Sequence, residues 1–174
     1  MSFHVPLTAF VCCIVTFSSA YAAPLSTSAH PKTFCDLAKD FGYPSRGYNP
    51  NTGGCASNMT GVTPTAGKNG LANNLAFYSM SEVDSPEKLM RVSLILNVNN
   101  VREKAKAHAE LVRVAGAIST KILGTEPQGL QNAIRQGVSR KWVSGEWTTE
   151  VKYSVWPTGL GHDISVYFRS SGNK

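Results

Sequence analysis

A long stretch of helical periodicity, Val101 to Leu123, lies between two stretches whose apolar residues alternate, and this arrangement limits the fold more than any other feature of the chain. Within it Ala105, His108, Leu111, Ala115, Ile118 and Ile122 recur at spacings of three and four, while Arg102, Lys106, Glu110 and Arg113 fall on the other side. At 3.6 residues per turn those spacings make one apolar stripe. Asn100 is placed to cap the helix, Glu103 stands at capping-box spacing from it, and Gly124 supplies the stop. Upstream, Leu75 to Met80 reads as a strand and Ser81 to Glu87 as its connection. Leu89 to Val98 then reads as a second strand, with Met90, Val92, Leu94, Leu96 and Val98 on one face. Downstream, Pro127 opens a shorter helix that ends at Gln136 and Gly137. A short strand at Arg140 to Val143 precedes two longer ones, Trp147 to Val155 and His162 to Arg169, joined by the turn Pro157 to Gly161.

Strands with one apolar and one polar face, together with a single long amphipathic helix, predict an α+β two-layer sandwich. The sheet would be antiparallel, of four or five strands, and covered on one face by the long and the short helix. Leu94, Leu111, Ile118, Val151 and Val166 are the expected core, each set on an apolar face by its period.

The N-terminal end reads as a targeting segment. Val5 to Phe17 is almost unbrokenly apolar, too short for a bilayer span of about 20 residues, and it leads to Ala20-Tyr21-Ala22, a small-residue cleavage site. The expected organisation is a signal peptide over 1–22, a flexible lead over 23–32 and one α+β domain over 33–174. The protein would be exported, periplasmic or secreted, with no transmembrane segment in the mature chain. Cys12 and Cys13 would leave with the signal, and Cys35 and Cys55 would pair in an oxidising compartment. Around Cys35, Thr33 is placed to cap a short N-terminal helix, Phe34 to Phe41, with Asp36 in its first turn and Gly42 at its end. Tyr43 to Ala72 reads as a long irregular loop; a structureless loop of that length is uncommon in a compact domain.

Motifs that would carry catalysis are scarce. His30, His108 and His162 form no H-x-H or H-x-x-x-H pair, and Cys35 and Cys55 stand too far apart for a local zinc knuckle, so neither metal nor cofactor is expected. Neither G-x-S-x-G nor a phosphate-loop pattern occurs. One constellation suits a cysteine-dependent hydrolase: Cys35 in the first turn of a helix, where the dipole lowers a thiol pKa, and His162 at the start of a late strand. Against it, Asp36 beside Cys35 opposes a thiolate, and a structural Cys35–Cys55 disulfide accounts for both cysteines at once. Asn58-Met59-Thr60 matches the N-glycosylation pattern, which counts only in a eukaryotic source.

The formal net charge of +6 lies entirely outside the signal region, and positive residues gather in the second half of the chain. Arg102, Lys106 and Arg113 on the solvent side of the long helix, and Arg135, Arg140 and Lys141 in an acid-free stretch, are the candidate partner-binding residues. Export and the lack of regular aromatic interleaving argue against nucleic acid. By elimination the sequence points to an exported, non-enzymatic binding module of inhibitor, immunity or secretion-accessory type, recognising a protein or an anionic envelope component. The exported hydrolase using Cys35 and His162 is the alternative, and a carrier of a small apolar ligand between helix and sheet is a third reading.

Overall fold

Apolar alternation organises the sheet seen in the computed structural model, which describes residues 23–171. Its strands are β1 (Gly54–Ala56), β2 (Thr60–Ala66), β3 (Ala72–Glu82), β4 (Ser85–Val98), β5 (Arg140–Ser144), β6 (Trp147–Val155) and β7 (His162–Ser170). The helices are α1 (Lys104–Leu123) and α2 (Leu130–Gln136). All the strands join one antiparallel sheet in the order β1-β3-β4-β7-β6-β5, with β2 pairing the same side of β3 as β1, further toward its start. The expected α+β class holds. The sheet is larger than expected, because the stretch Tyr43 to Ala72 contains β1 and β2. Neither is legible as a strand: β1 is three residues long, and β2 is an edge strand carrying Gly61 and Pro64 with mostly exposed side chains.

One face of the sheet is apolar. Phe77, Leu94, Val166 and Val151 stand side by side across β3, β4, β7 and β6, and Leu75, Leu96 and Ile164 form the next row. All are fully buried or nearly so, beneath Leu111, Ala115, Ile118 and Ile122 of α1 and Leu130 and Ile134 of α2. The five expected core residues, Leu94, Leu111, Ile118, Val151 and Val166, each have 0% exposure. Ala105 departs from the expected stripe and is exposed. Met90 also leaves its expected face. A β-bulge lies between Met80 and Ser81, where Met80 pairs with Arg91 and Ser81 with Leu89, so Leu89 turns inward in place of Met90.

The N-terminal helix expected over Phe34–Phe41 is replaced by two 3-10 turns, Pro31–Phe34 and Lys39–Phe41. The cap of the first is His30, whose Nδ1 accepts from Lys32 N–H at 3.1 Å, rather than Thr33. Cys35 is bonded to Cys55, with the Cα atoms 5.8 Å apart, so the turn is tied to edge strand β1. In the chain-entropy view a link across so short a loop stabilises the fold by about 3 kcal/mol.

The expected signal peptide, 1–22, lies outside the described residues. The segment 23–32, expected as a flexible lead, lies against the domain. Leu25 N–H donates to Ile122 O at 3.0 Å, Trp147 Nε1–H donates to Leu25 O at 2.8 Å, and the Leu25 and Ala29 side chains pack on the core. Scattered single contacts hold it, among them Thr27 Oγ1 donating to Glu146 at 2.7 Å and Ser79 Oγ donating to Pro31 O at 3.1 Å, and no periodic pattern in a Ser/Thr/Pro-rich composition marks them.

The strands fall into two units contiguous in sequence, β1–β4 and β5–β7, joined by a single seam between β4 and β7 that runs from Val92–Phe168 to Val98–His162.

Candidate functional site

Asparagines build the end of the sheet where β2 and β4 finish and β3 begins. Asn73 and Asn100 bond reciprocally: Asn100 N–H donates to Asn73 Oδ1 at 2.7 Å, and Asn73 Nδ2 donates to Asn100 O at 3.1 Å. Asn69 Nδ2 donates to Asn99 Oδ1 at 2.7 Å, Asn99 Nδ2 to Ala72 O at 2.8 Å, and Asn97 Nδ2 to Asn74 Oδ1 at 2.9 Å. This network fixes the β2–β3 loop against the corner leading to α1. Gly67 is required there, since a Cβ would run into the Asn99 carbonyl oxygen. Asn100 does cap the helix entry, accepting from Arg102 N–H at 3.2 Å in a 3-10 turn, Val101–Glu103, that precedes α1. The expected capping box does not close. Asn73 already accepts the Asn100 N–H, and the Glu103 carboxylate turns instead to Thr65 N–H (3.3 Å) and Lys106 Nζ (3.7 Å).

The corner holds a cleft of about 650 Å³ lined by the 65–68 segment, by Asn99 to Arg102, and by Gly159 and Leu160 of the β6–β7 turn. Lys68 and Arg102 face it, no acidic residue lines it, and neither cation makes an ion pair among the described residues. Val101 and Leu160 contribute exposed apolar surface, at 44% and 42%. A polar floor held by hydrogen bonds, two cations outside any ion pair among the described residues and an apolar rim can accept an anionic group attached to an apolar body.

A buried histidine pair joins α1 to β7. His108 of α1 and His162 of β7 are each 5% exposed, with Nε2 atoms 3.0 Å apart, and His108 Nδ1 lies 3.2 Å from Arg135 O. The Tyr153 ring packs on His162 at 5.0 Å between centroids. Burial lowers both imidazole pKa values first of all; His108 and nearby Lys104 lower that of His162 further.

Cys35 and His162, the pair that would serve a hydrolase, are not brought together. The sulfur of Cys35 is bonded to Cys55. Cys55 lies in the row Cys55–Ser79–Val92–Phe168, and Phe168 is six residues along β7 from His162, about 20 Å at the usual strand rise. Nor do the six basic candidates form one patch. Arg102 lines the cleft, but Lys106 pairs with Glu103, and Arg113 binds Glu110 and Phe41 O on the flank of α1 next to the second 3-10 turn. Arg135 donates to Gln131 on α2, Arg140 stacks on Trp142, and Lys141 stands opposite Glu150 at the far edge of the sheet. The interface between α1 and the sheet, the expected seat of a carried apolar ligand, is filled by fully buried side chains. Asn58 is exposed in the β1–β2 connection.

Sequence reasoning missed Lys68 and the asparagine network. The available signal was the density of asparagine at positions 69, 73, 74, 97, 99 and 100, at both ends of the strand pair. Among the described residues no cluster of three or more His, Cys, Asp or Glu could hold a metal ion, and no helix is long and apolar enough to cross a membrane. No family model, no curated protein and no solved structure matches the chain.

Proposed function

We propose that the protein is an exported, non-enzymatic binding module that receives an anionic group of a protein or envelope component in the Lys68–Arg102 cleft. The observation that carries this reading is the acid-free lining of that cleft around two cations that make no ion pair among the described residues. Preorganisation by the asparagine network supports it, since a site held by satisfied hydrogen bonds loses little entropy on binding. Export rests on the apolar N-terminal run and on the Cys35–Cys55 bond, which suits an oxidising compartment. The test is a pull-down from the native envelope fraction with wild type and with the Lys68→Glu/Arg102→Glu variant, at low and at physiological salt. The wild-type partner should be lost from the variant and weakened by salt, because exposed charges are screened beyond about 8 Å at 0.15 M. A partner retained equally by both proteins at both salts overturns the reading.

A further inference from the structure

The face of the sheet turned away from the helices carries a second arrangement of cations. Tyr78, Ser93 and Tyr167 stand side by side on β3, β4 and β7, with Ala76, Ile95 and Ser165 in the adjoining row. The small residues form a floor: Ser93 is 1% and Ser165 3% exposed although no helix lies over them. Two guanidinium groups lie on the single Tyr167 ring, Arg91 at 5.2 Å and Arg169 at 4.7 Å from its centroid. Their situations differ. Arg169 has a carboxylate partner, Glu150, at 3.5 Å. Arg91 has none among the described residues; the acceptor it reaches is the Met80 thioether at 3.6 Å, a weak one. Its Nε is buried without a hydrogen-bond partner, as is the hydroxyl of neighbouring Ser93. A guanidinium presents five N–H donors in a planar fork suited to a carboxylate, and a buried donor without a partner, as at Arg91 Nε, is costly.

Met80, the residue whose thioether Arg91 reaches, also lines a depression of about 480 Å³ between β1 and the segment that precedes it. Its lining includes Arg46, Asn49, Thr52, Tyr78 and Met80, with no acidic residue and no Leu, Ile or Val. Protein partners are held chiefly by large side chains in apolar pockets, and this depression provides amides, hydroxyls and a second arginine instead. That chemistry matches a ligand rich in hydroxyls that also carries a negative charge.

We propose that Arg91 receives the carboxylate of an acidic sugar, of uronic-acid type, whose hydroxyls occupy the depression lined by Arg46, Asn49, Thr52 and Tyr78. The site names a ligand class for a binding protein, but it lies at the other end of β3 from the Lys68–Arg102 cleft and shares no residue with it, so the two assignments fail separately.

The direct probe is the side-chain Nε–Hε resonance of Arg91 in nitrogen-15-labelled protein, assigned by its loss in Arg91→Lys. The protein is titrated with a galacturonic acid trimer, with a neutral galactose trimer and with a triglutamate peptide. The acidic trimer should shift this resonance saturably, and the other two should not. Arg91→Gln should weaken binding of the acidic trimer by about ten- to hundredfold, the usual worth of a hydrogen bond to a charged group, whereas Lys68→Glu/Arg102→Glu should bind it as wild type does. Absence of a saturable shift in the wild type overturns the proposal, whatever the variants do. Equal binding of the neutral trimer, or of the peptide, overturns the assignment to an acidic sugar. Unchanged affinity in Arg91→Gln removes Arg91 from the site.

Discussion

The buried histidine pair has few ways to place its protons. His108 Nδ1 faces a carbonyl, Arg135 O, so it must carry hydrogen, and its Nε2 is then a lone pair that accepts from His162 Nε2–H. In the neutral pair His108 Nδ1, His108 Nε2 and His162 Nε2 each have a partner. One added proton can enter at His162 Nδ1, but a second would set two N–H groups head to head in a site 5% exposed. The charged surroundings do not relieve this: Lys104 disfavours charge on both rings, and Asp163 offsets it only in part at His162. Both folded-state pKa values therefore lie below the ordinary 6.5, so the folded state binds fewer protons than the unfolded one in the range below it. The stabilisation is complete above about pH 6.5 and is lost as the pH falls through the lowered folded values. Urea midpoints should accordingly fall between pH 7.5 and pH 5, and His108→Gln/His162→Gln should flatten that fall. A midpoint that holds steady over the range in the wild type would show that the pair is not buried in its neutral form.

Among the elements, α1 has the most at stake in its packing. Leu111 and Ile118 lie on its inner face at 0% exposure, over the row formed by Leu94, Val166 and Val151. Leu111→Ala and Ile118→Ala should each cost about 2–5 kcal/mol in urea unfolding, since the deleted methyl groups leave a cavity among residues that cannot close over it. A loss below about 1 kcal/mol at both would contradict the helix orientation. These positions were legible beforehand because period 3.6 and period 2 act over many residues and leave a repeated trace: α1, β4, β6 and β7 all announce themselves. What escaped was set by single contacts. Short β1 and Pro-containing β2 form because β3 offers an edge to pair with, and no local pattern marks them. The inward turn of Leu89 depends on one bulge, and the placement of the lead on isolated contacts such as the backbone bond to Ile122 and the bond from the Trp147 indole. The cleft was half legible. Arg102 was singled out by its charge and helix position, but Lys68 comes near it only through a loop held by asparagine side chains. Hydrogen-bond partners far apart in the chain are not written in either one's local sequence.

At the scale of the whole molecule the positive charge is dispersed rather than gathered. Among the described residues four cations are matched by carboxylates at 4 Å or less, namely Lys106, Arg113, Lys121 and Arg169, and the six basic residues singled out by sequence spread over α1 and the turn before it, α2 and the far sheet edge. The Lys68–Arg102 cleft and the depression lined by Arg46 are two places where cations without an ion pair among the described residues stand in a concave surface. The seam between β4 and β7 has a further consequence. Each side of it is a run of antiparallel strands built from one continuous length of chain, with α1 belonging to the first length and α2 to the second. Only the short connection Gly124–Gly129, with Thr125 exposed, carries the backbone from one to the other between the helices. Chain continuity contributes an effective concentration at the seam and little else. Supplied as separate polypeptides, 23–125 and 126–174 should therefore recombine into a native-like complex, detectable by gel filtration and by return of the near-ultraviolet signal of the tryptophans, and Val166→Asp in the second should abolish it. The molecule is in this sense a heterodimer whose two halves happen to be tethered.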